Sequence, residues 1–292
     1  MKNELEKGLY SPEYEKDACG VGLVVNINGS KYHDIIEKGL AVLENMAHRG
    51  AEGADSKTGD GAGIMVQIPH EFILLNGIPV PEKGRYGVGM IFLPKEPRDN
   101  ARFTEIINEC VEANNLVVMH SREVPVDSSI LGKDALATEP EIRQIFITGC
   151  DDPKVLEDKL YLVRKGIERK VLSSSITDKA ACYVVSLSTR TLVYKGMLST
   201  MQLRHYFPDL TNPYFTSAIA MVHSRFSTNT FPTWSLAQPF RYIAHNGEIN
   251  TIRGNRLWIK TRESVLKAPN LGSISENISP IIQPGMSDSA SF

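Results

Sequence analysis

The chain has 292 residues, 42% of them hydrophobic, enough to bury one large core or two ordinary ones, and a single large domain is expected. With 32 Lys and Arg against 34 Asp and Glu the net charge is −2, so there is no basic field to attract nucleic acid. Cys19, Cys110, Cys150 and Cys182 form no C-x-x-C pair, which argues against a zinc ribbon or a redox dithiol. No apolar run nears the roughly 20 residues that span a bilayer, so a cytoplasmic protein with no membrane partner is expected.

Residues 1–18 are polar, mixed in charge and without a periodic apolar face, and read as a leader. Asp17-Ala18-Cys19-Gly20-Val21-Gly22 then opens a β-branched run through Leu23, Val24, Val25 and Ile27 that stops at Asn28-Gly29. This predicts a strand with the Cys19 thiol at its end. Over 33–47, Ile35, Ile36, Leu40, Leu43 and Met46 recur at helical spacing. A loop rich in Gly, Asp and Ser over 50–63 leads into a buried strand over 64–68. Strands follow over 86–93, 116–124 and 142–148, with helices over 100–113 and 154–172. The runs at 181–187 and 191–195 read as a hairpin, and 217–222 and 241–244 as two more strands. Several runs are apolar on both faces, as in strands covered by helices or a second sheet.

Four stretches could carry chemistry. Gly59, Gly61 and Gly63 lack the Gly-Lys-Ser/Thr ending of a phosphate loop and precede a strand, so a tight turn needing positive φ is preferred. His223-Ser224-Arg225-Phe226-Ser227-Thr228 follows an apolar strand. An arginine there, among hydroxyls, could grip a carboxylate or equally could staple a loop through backbone carbonyls. In Ala244-His245-Asn246-Gly247, a side-chain amide beside an unobstructed N–H suits an oxyanion, although Asn-Gly is also an ordinary turn. His245 could serve Cys19 as a general base in a papain-like pair. Alternatively, loss of residues 1–18 would free the Cys19 α-amine, whose reference pKa of about 8 sits close to the thiol's ~8.5. The other histidines show no paired metal-ligand spacing. Cys110 and Cys182 lie in apolar segments and read as small buried hydrophobes.

Five stretches taken in order resemble one family: Cys19-Gly20-Val21-Gly22; His48-Arg49-Gly50-Ala51; Thr58-Gly59-Asp60-Gly61-Ala62-Gly63-Ile64; His223-Ser224-Arg225-Phe226-Ser227-Thr228-Asn229-Thr230-Phe231-Pro232; and Ala244-His245-Asn246-Gly247-Glu248-Ile249-Asn250-Thr251. The family is the class II glutamine amidotransferase domain at the amino-terminal end of the glutamate synthase large subunit. Phe231-Pro232-Thr233-Trp234 resembles glutamate synthases more than their class II relatives. The resemblance implies an α+β fold, a four-layer αββα sandwich of the N-terminal nucleophile hydrolase type. Residues 1–18 would be the propeptide and 19–292 the glutaminase domain.

By the same motifs Cys19 would be the nucleophile with its own α-amine as base, and Asn246 and Gly247 the oxyanion hole. Arg225, with Thr228 nearby, would hold the substrate α-carboxylate and Asp288 its α-ammonium, with Arg49 close to the cysteine. L-glutamine is the implied substrate, and a synthase domain or subunit the implied ammonia acceptor. FMN and an iron–sulfur cluster would belong to that acceptor, since no motif here binds a cofactor or a metal. Phe292 follows Asp288 by only four residues, so the domain is expected to be cut short at its carboxyl end. The alternatives are a stand-alone amidotransferase with another acceptor, such as a phosphosugar, or an unprocessed glutamine-binding regulatory module.

Overall fold

The alternating apolar runs build two antiparallel sheets that face each other, each with helices on its outer side. A computed structural model of the chain describes residues 20–53, 55, 57–225, 231–245, 247, 249–266 and 278–291. The expected leader and Cys19 therefore lie outside the described residues. The first sheet joins β1 (Val21–Val25), β8 (Ile219–Ser224), β2 (Ala62–Gln67) and β7 (Thr191–Gly196) in that order. The second joins β4 (Val117–Glu123), β5 (Glu141–Thr148), β3 (Gly87–Leu93) and β6 (Tyr183–Ser188). Neighbouring strands run antiparallel throughout both sheets.

Helix α1 (His33–Asn45) covers the first sheet, burying Ile35, Ile36, Leu40 and Leu43 in a core that also takes in Ile64, Val66 and Tyr194 of that sheet and Phe146 of the second. Helices α3 (Pro97–Ala113) and α5 (Pro153–Ser173) cover the second sheet around a separate core of Ile91, Phe103, Ile107, Leu160 and Val163. This is the expected αββα layering. Both outer helices start for a legible reason. Glu96 caps α3 by accepting from Asp99 N, Asp152 caps α5 by accepting from Lys154 N and Val155 N, and each is followed by proline, whose missing N–H costs nothing at that position.

Smaller helices complete the frame: α2 (His70–Leu75), α4 (Lys133–Ala137), α6 (Gln202–Tyr206), α7 (Ile252–Arg262) and α8 (Asp288–Ser291). Helix α7 buries no residue. Among the described residues no helix is long and apolar enough to cross a membrane.

The structure corrects one expected hairpin and one expected strand. Residues 181–187 and 191–195 are not a hairpin, because β6 pairs with β3 in one sheet and β7 with β2 in the other. The connection crosses between layers, and Glu157 of α5 takes its free donors: Thr189 N at 2.7 Å, Thr189 Oγ1 at 2.6 Å and Ser188 Oγ at 2.7 Å. The run at 241–244 is a tight turn closed by the Phe240–Ile243 bridge, with Arg241 at φ +54°.

Helix α1 approaches β8 so closely that a Cβ at Gly39 would sit 2.7 Å from Ala220 Cβ. Helix propensity favours Ala over Gly by up to about 1 kcal/mol, but overpacking a close contact costs about 1–3 kcal/mol. Gly39→Ala is therefore expected to lower stability despite its better propensity, and a denaturant titration reads the sign.

Candidate active site

The antiparallel order of the first sheet collects strand ends. β1 begins, β8 ends, β2 begins and β7 ends on the same side, as the pairings Val21 with His223, Ala62 with Ser224 and Ala62 with Gly196 require. Three of those ends continue into stretches singled out above. Ser224 N donates to Gly20 O at 2.7 Å and Arg225 N to Gly61 O at 2.8 Å, extending the ladder beyond the strands.

Arg225 is 7% exposed, and its Nη1 donates to Asp60 O at 3.1 Å. Burial pulls the guanidinium below its ordinary range, and the Asp60 carboxylate pulls it back. The loop behind it folds on itself. Gly53 N donates to Thr58 O at 2.7 Å and Asp60 N to Ala51 O at 3.0 Å, and hydrogen bonds from the Thr58 hydroxyl and N–H hold the half-buried Asp55 carboxyl at about 2.

The expectation of positive φ holds for Gly61 alone of the three loop glycines, at +141°. Gly59 and Gly63 are set instead by close approach. A Cβ would meet the Leu198 carbonyl carbon at 2.2 Å in the first and Gln238 O at 2.4 Å in the second.

Arg49 ends a short turn over Ala47–Arg49 that delivers the chain to the same place, since a Cβ at Gly50 would lie 3.2 Å from Ser224 Oγ. Three buried polar atoms here, Arg49 Nε, His223 Nδ1 and Ser224 Oγ, have no hydrogen-bond partner among the described residues. Nearly all buried polar atoms in a folded protein are paired, so these three stand out.

His223 links this end to a second cluster. Its Nε2 donates to His245 O at 2.9 Å, which fixes Nδ1 as the acceptor. Burial pushes the imidazole down to about 4, and the cations Arg225 and Lys195 push the same way. Gln238 closes a ring with His245, accepting from His245 N at 2.9 Å and donating to His245 O at 3.1 Å. It also donates to Ser289 Oγ at 3.3 Å, and Ser289 Oγ shares a 3.1 Å hydrogen bond with His245 Nδ1. The His245 ring is thus occupied by Ser289. Asp288, next in the chain, accepts from Ile249 N at 3.2 Å.

The structure therefore places Arg225 and Arg49 at one end of the first sheet, and ties the segments of Gly247 and Asp288 to that end through His245. Cys19, Thr228 and Asn246 lie outside the described residues. Sequence reasoning missed the linking roles of His223, Gln238 and Ser289. His223 was visible at the head of the arginine motif, but Gln238 carried no signal.

Away from this end, Cys110 is buried as expected, and burial raises its thiol. Cys182 is only partly buried, and burial with Asp178 and Asp99 pushes its thiol up to about 12. Neither is a reactive thiolate. Among the described residues no group of three His, Cys, Asp or Glu could hold a metal ion.

The two antiparallel sheets with helices on their outer sides make an αββα sandwich, with Arg49 and Arg225 at one end of the first sheet. The profile of the family described as glutamine amidotransferases class-II matches residues 19–292, and the chain belongs to that family. It is similar to the glutamate synthase [NADPH] large chain of Bacillus subtilis, at 43% identity over 99% of this chain and 19% of the relative. It is likewise similar to the glutamate synthase [NADH] of Saccharomyces cerevisiae, at 44% identity over 98% of this chain and 14% of the relative. For the chloroplastic ferredoxin-dependent glutamate synthase 2 of Arabidopsis thaliana the figures are 42%, 95% and 17%. The chain thus spans less than a fifth of the length of these curated relatives.

His223 makes stability depend on pH. An unfolded histidine takes its proton near 6.5 and this one only at about 4, so the unfolded chain binds more protons between those values. Stability is fully present above that window and falls as pH drops through it, by about 3 kcal/mol in all. Urea titrations between about pH 7 and pH 4 should show this slope, and His223→Gln should flatten it.

Proposed function

We propose that this chain is the glutamine-hydrolysing part of a glutamate synthase, releasing ammonia that a synthase domain or partner subunit adds to 2-oxoglutarate. The observation that carries the reading is the hydrogen bond from Ser224 N to Gly20 O, because it fixes the residue after Cys19 against the strand that leads into Arg225. The family match, which begins at residue 19, supports it. So do the printed names of the relatives, glutamate synthases that use NADPH, NADH or ferredoxin.

In this reading residues 1–18 are removed, and the free α-amine of Cys19 takes the proton of its own thiol. The sulfur attacks the γ-amide carbon of glutamine, and Asn246 and Gly247 stabilise the developing oxyanion. The α-amine returns its proton to the leaving nitrogen, ammonia departs, and water hydrolyses the γ-glutamyl thioester to glutamate. Arg225 and Thr228 hold the α-carboxylate, Asp288 takes the α-ammonium, and Arg49 supports the cysteine end. Opposed charges at the two recognition points explain why a substrate lacking either should be refused, since a buried charge would be left unpaired. FMN and an iron–sulfur cluster are assigned to the acceptor rather than to this chain.

Glutamine hydrolysis with an ammonia readout tests the proposal. Cys19→Ala is expected to reduce it by roughly 10³-fold or more, and the intact mass of active protein should show that residues 1–18 are gone. Activity in a protein that still begins at Met1 would overturn the α-amine as base. Arg225→Lys keeps the charge but loses the fork, and should raise KM by roughly 30-fold, the equivalent of about 2 kcal/mol.

A further inference from the structure

Strand β7 carries a lysine where its neighbours are apolar. Lys195 is 1% exposed, and among the described residues no carboxylate pairs with its ammonium. Its Nζ donates to Ser235 O at 2.8 Å and to Ala237 O at 2.6 Å. The Phe240 and Tyr183 rings stand 4.4 Å and 4.9 Å from it, so part of the charge faces aromatic quadrupoles. Burial pulls this ammonium well below its ordinary range, and Arg241 and Arg225 add to the pull. An apolar residue of the same size would avoid that desolvation cost, so a cation here needs a task.

The acceptors show what the task is. Residues 231–245 contain no strand or helix, only the Phe240–Ile243 bridge, and no backbone N–H among the described residues takes the carbonyls of Ser235 and Ala237. Lys195 supplies the donors that regular structure would have supplied. Gln238 is the next residue, and its side chain holds the His245 backbone at both N and O and reaches Ser289 Oγ. His245 leads into Gly247, and Ser289 adjoins Asp288. On the other side the segment rests on β2, where the missing side chain of Gly63 leaves room for Gln238 O.

We infer that Lys195 is a positioning residue for glutamine hydrolysis, setting through Gln238 both the turn that carries Gly247 and the helix that carries Asp288. The inference rests on the function proposed above. It assigns Lys195 no contact with substrate.

The test uses the full chain with Lys195→Met, which keeps the stem and removes the donors, together with Gln238→Ala and the double variant. Two readouts are taken, amide hydrogen exchange and glutamine hydrolysis. In Lys195→Met, exchange should speed up at residues 236–245 and 288–291 and stay unchanged in α3 and α5. kcat/KM should fall by about 10- to 100-fold, the loss expected when reacting groups are displaced by a fraction of an ångström to one ångström. The double variant should be no worse than the poorer single one, since both act along one path.

Unchanged exchange at 236–245 and 288–291 in Lys195→Met would overturn the inference. So would faster exchange there with kcat/KM intact, or losses that multiply in the double variant. Should Lys195→Met not fold, Gln238→Ala alone carries the same exchange and rate comparison with Lys195 in place. If the wild-type chain left glutamine intact, the proposed function would fail, while the exchange pattern would still decide whether Lys195 holds these segments.

Discussion

The molecule depends on one backbone hydrogen bond, from Ser224 N to Gly20 O, and on the strand register that makes it possible. Because β8 lies between β1 and β2, its last residues face both neighbours at once. Gly20 is held on one side and Gly61 on the other, and Arg225 leaves the strand between them. A one-residue slip in either pairing would turn every side chain to the opposite face and take Arg225 out of the cluster. The buried alternation of Ile64, Val66, Ala220 and Val222 guards against that slip, so core packing sets the geometry of the polar end.

Past the strands, backbone pairing gives way to side chains. The same device recurs: a long cation holding backbone carbonyls that lie outside the strands. Lys195 does this for Ser235 and Ala237, Lys165 for Pro280 and Ile281, and Arg256 for Met286. Lys165 differs in having an anion. Glu168, held down at about 2 by Arg164, Lys165 and Arg241 against the cost of burial, pairs with it at 2.9 Å and accepts from Gln283 as well. The segment that leads to Asp288 is therefore secured at several points along 280–291, each through a charge-assisted bond, stronger than a neutral one.

Much of the sandwich was legible in the sequence because strand runs and the outer helices follow period and capping. The runs at 64–68, 86–93 and 142–148, and the helix over 100–113, came out within a few residues. The false hairpin arose because Ser188-Thr189-Arg190 has turn chemistry, yet a short turn can also join two layers when an outside group, here Glu157, satisfies its donors. The turn over 241–244 has the apolar content of a strand, and apolar content alone does not separate a strand from a tight turn. Helix α7 went unread for the opposite reason, since a helix that buries nothing has no apolar face to detect. Around the site, Arg225, Arg49, Gly247 and Asp288 stood in readable motifs. Gln238 did not, because a glutamine bonding to backbone leaves no spacing, and Lys195 showed only as an odd charge in Thr191–Gly196.

Helix α7 also gives the molecule two responses to heat. Trp258 is 69% exposed, and the helix is fastened by Arg256 to Ser287 and Ser291 and by Glu263 to Ser279 and Ile281, all polar contacts. Hydrophobic association near room temperature is driven by water's entropy and does not weaken on mild warming, whereas such contacts are enthalpic and do. As temperature rises, the segment bearing Asp288 should loosen ahead of the sandwich that bears Arg225, so the two answer to different thermodynamics.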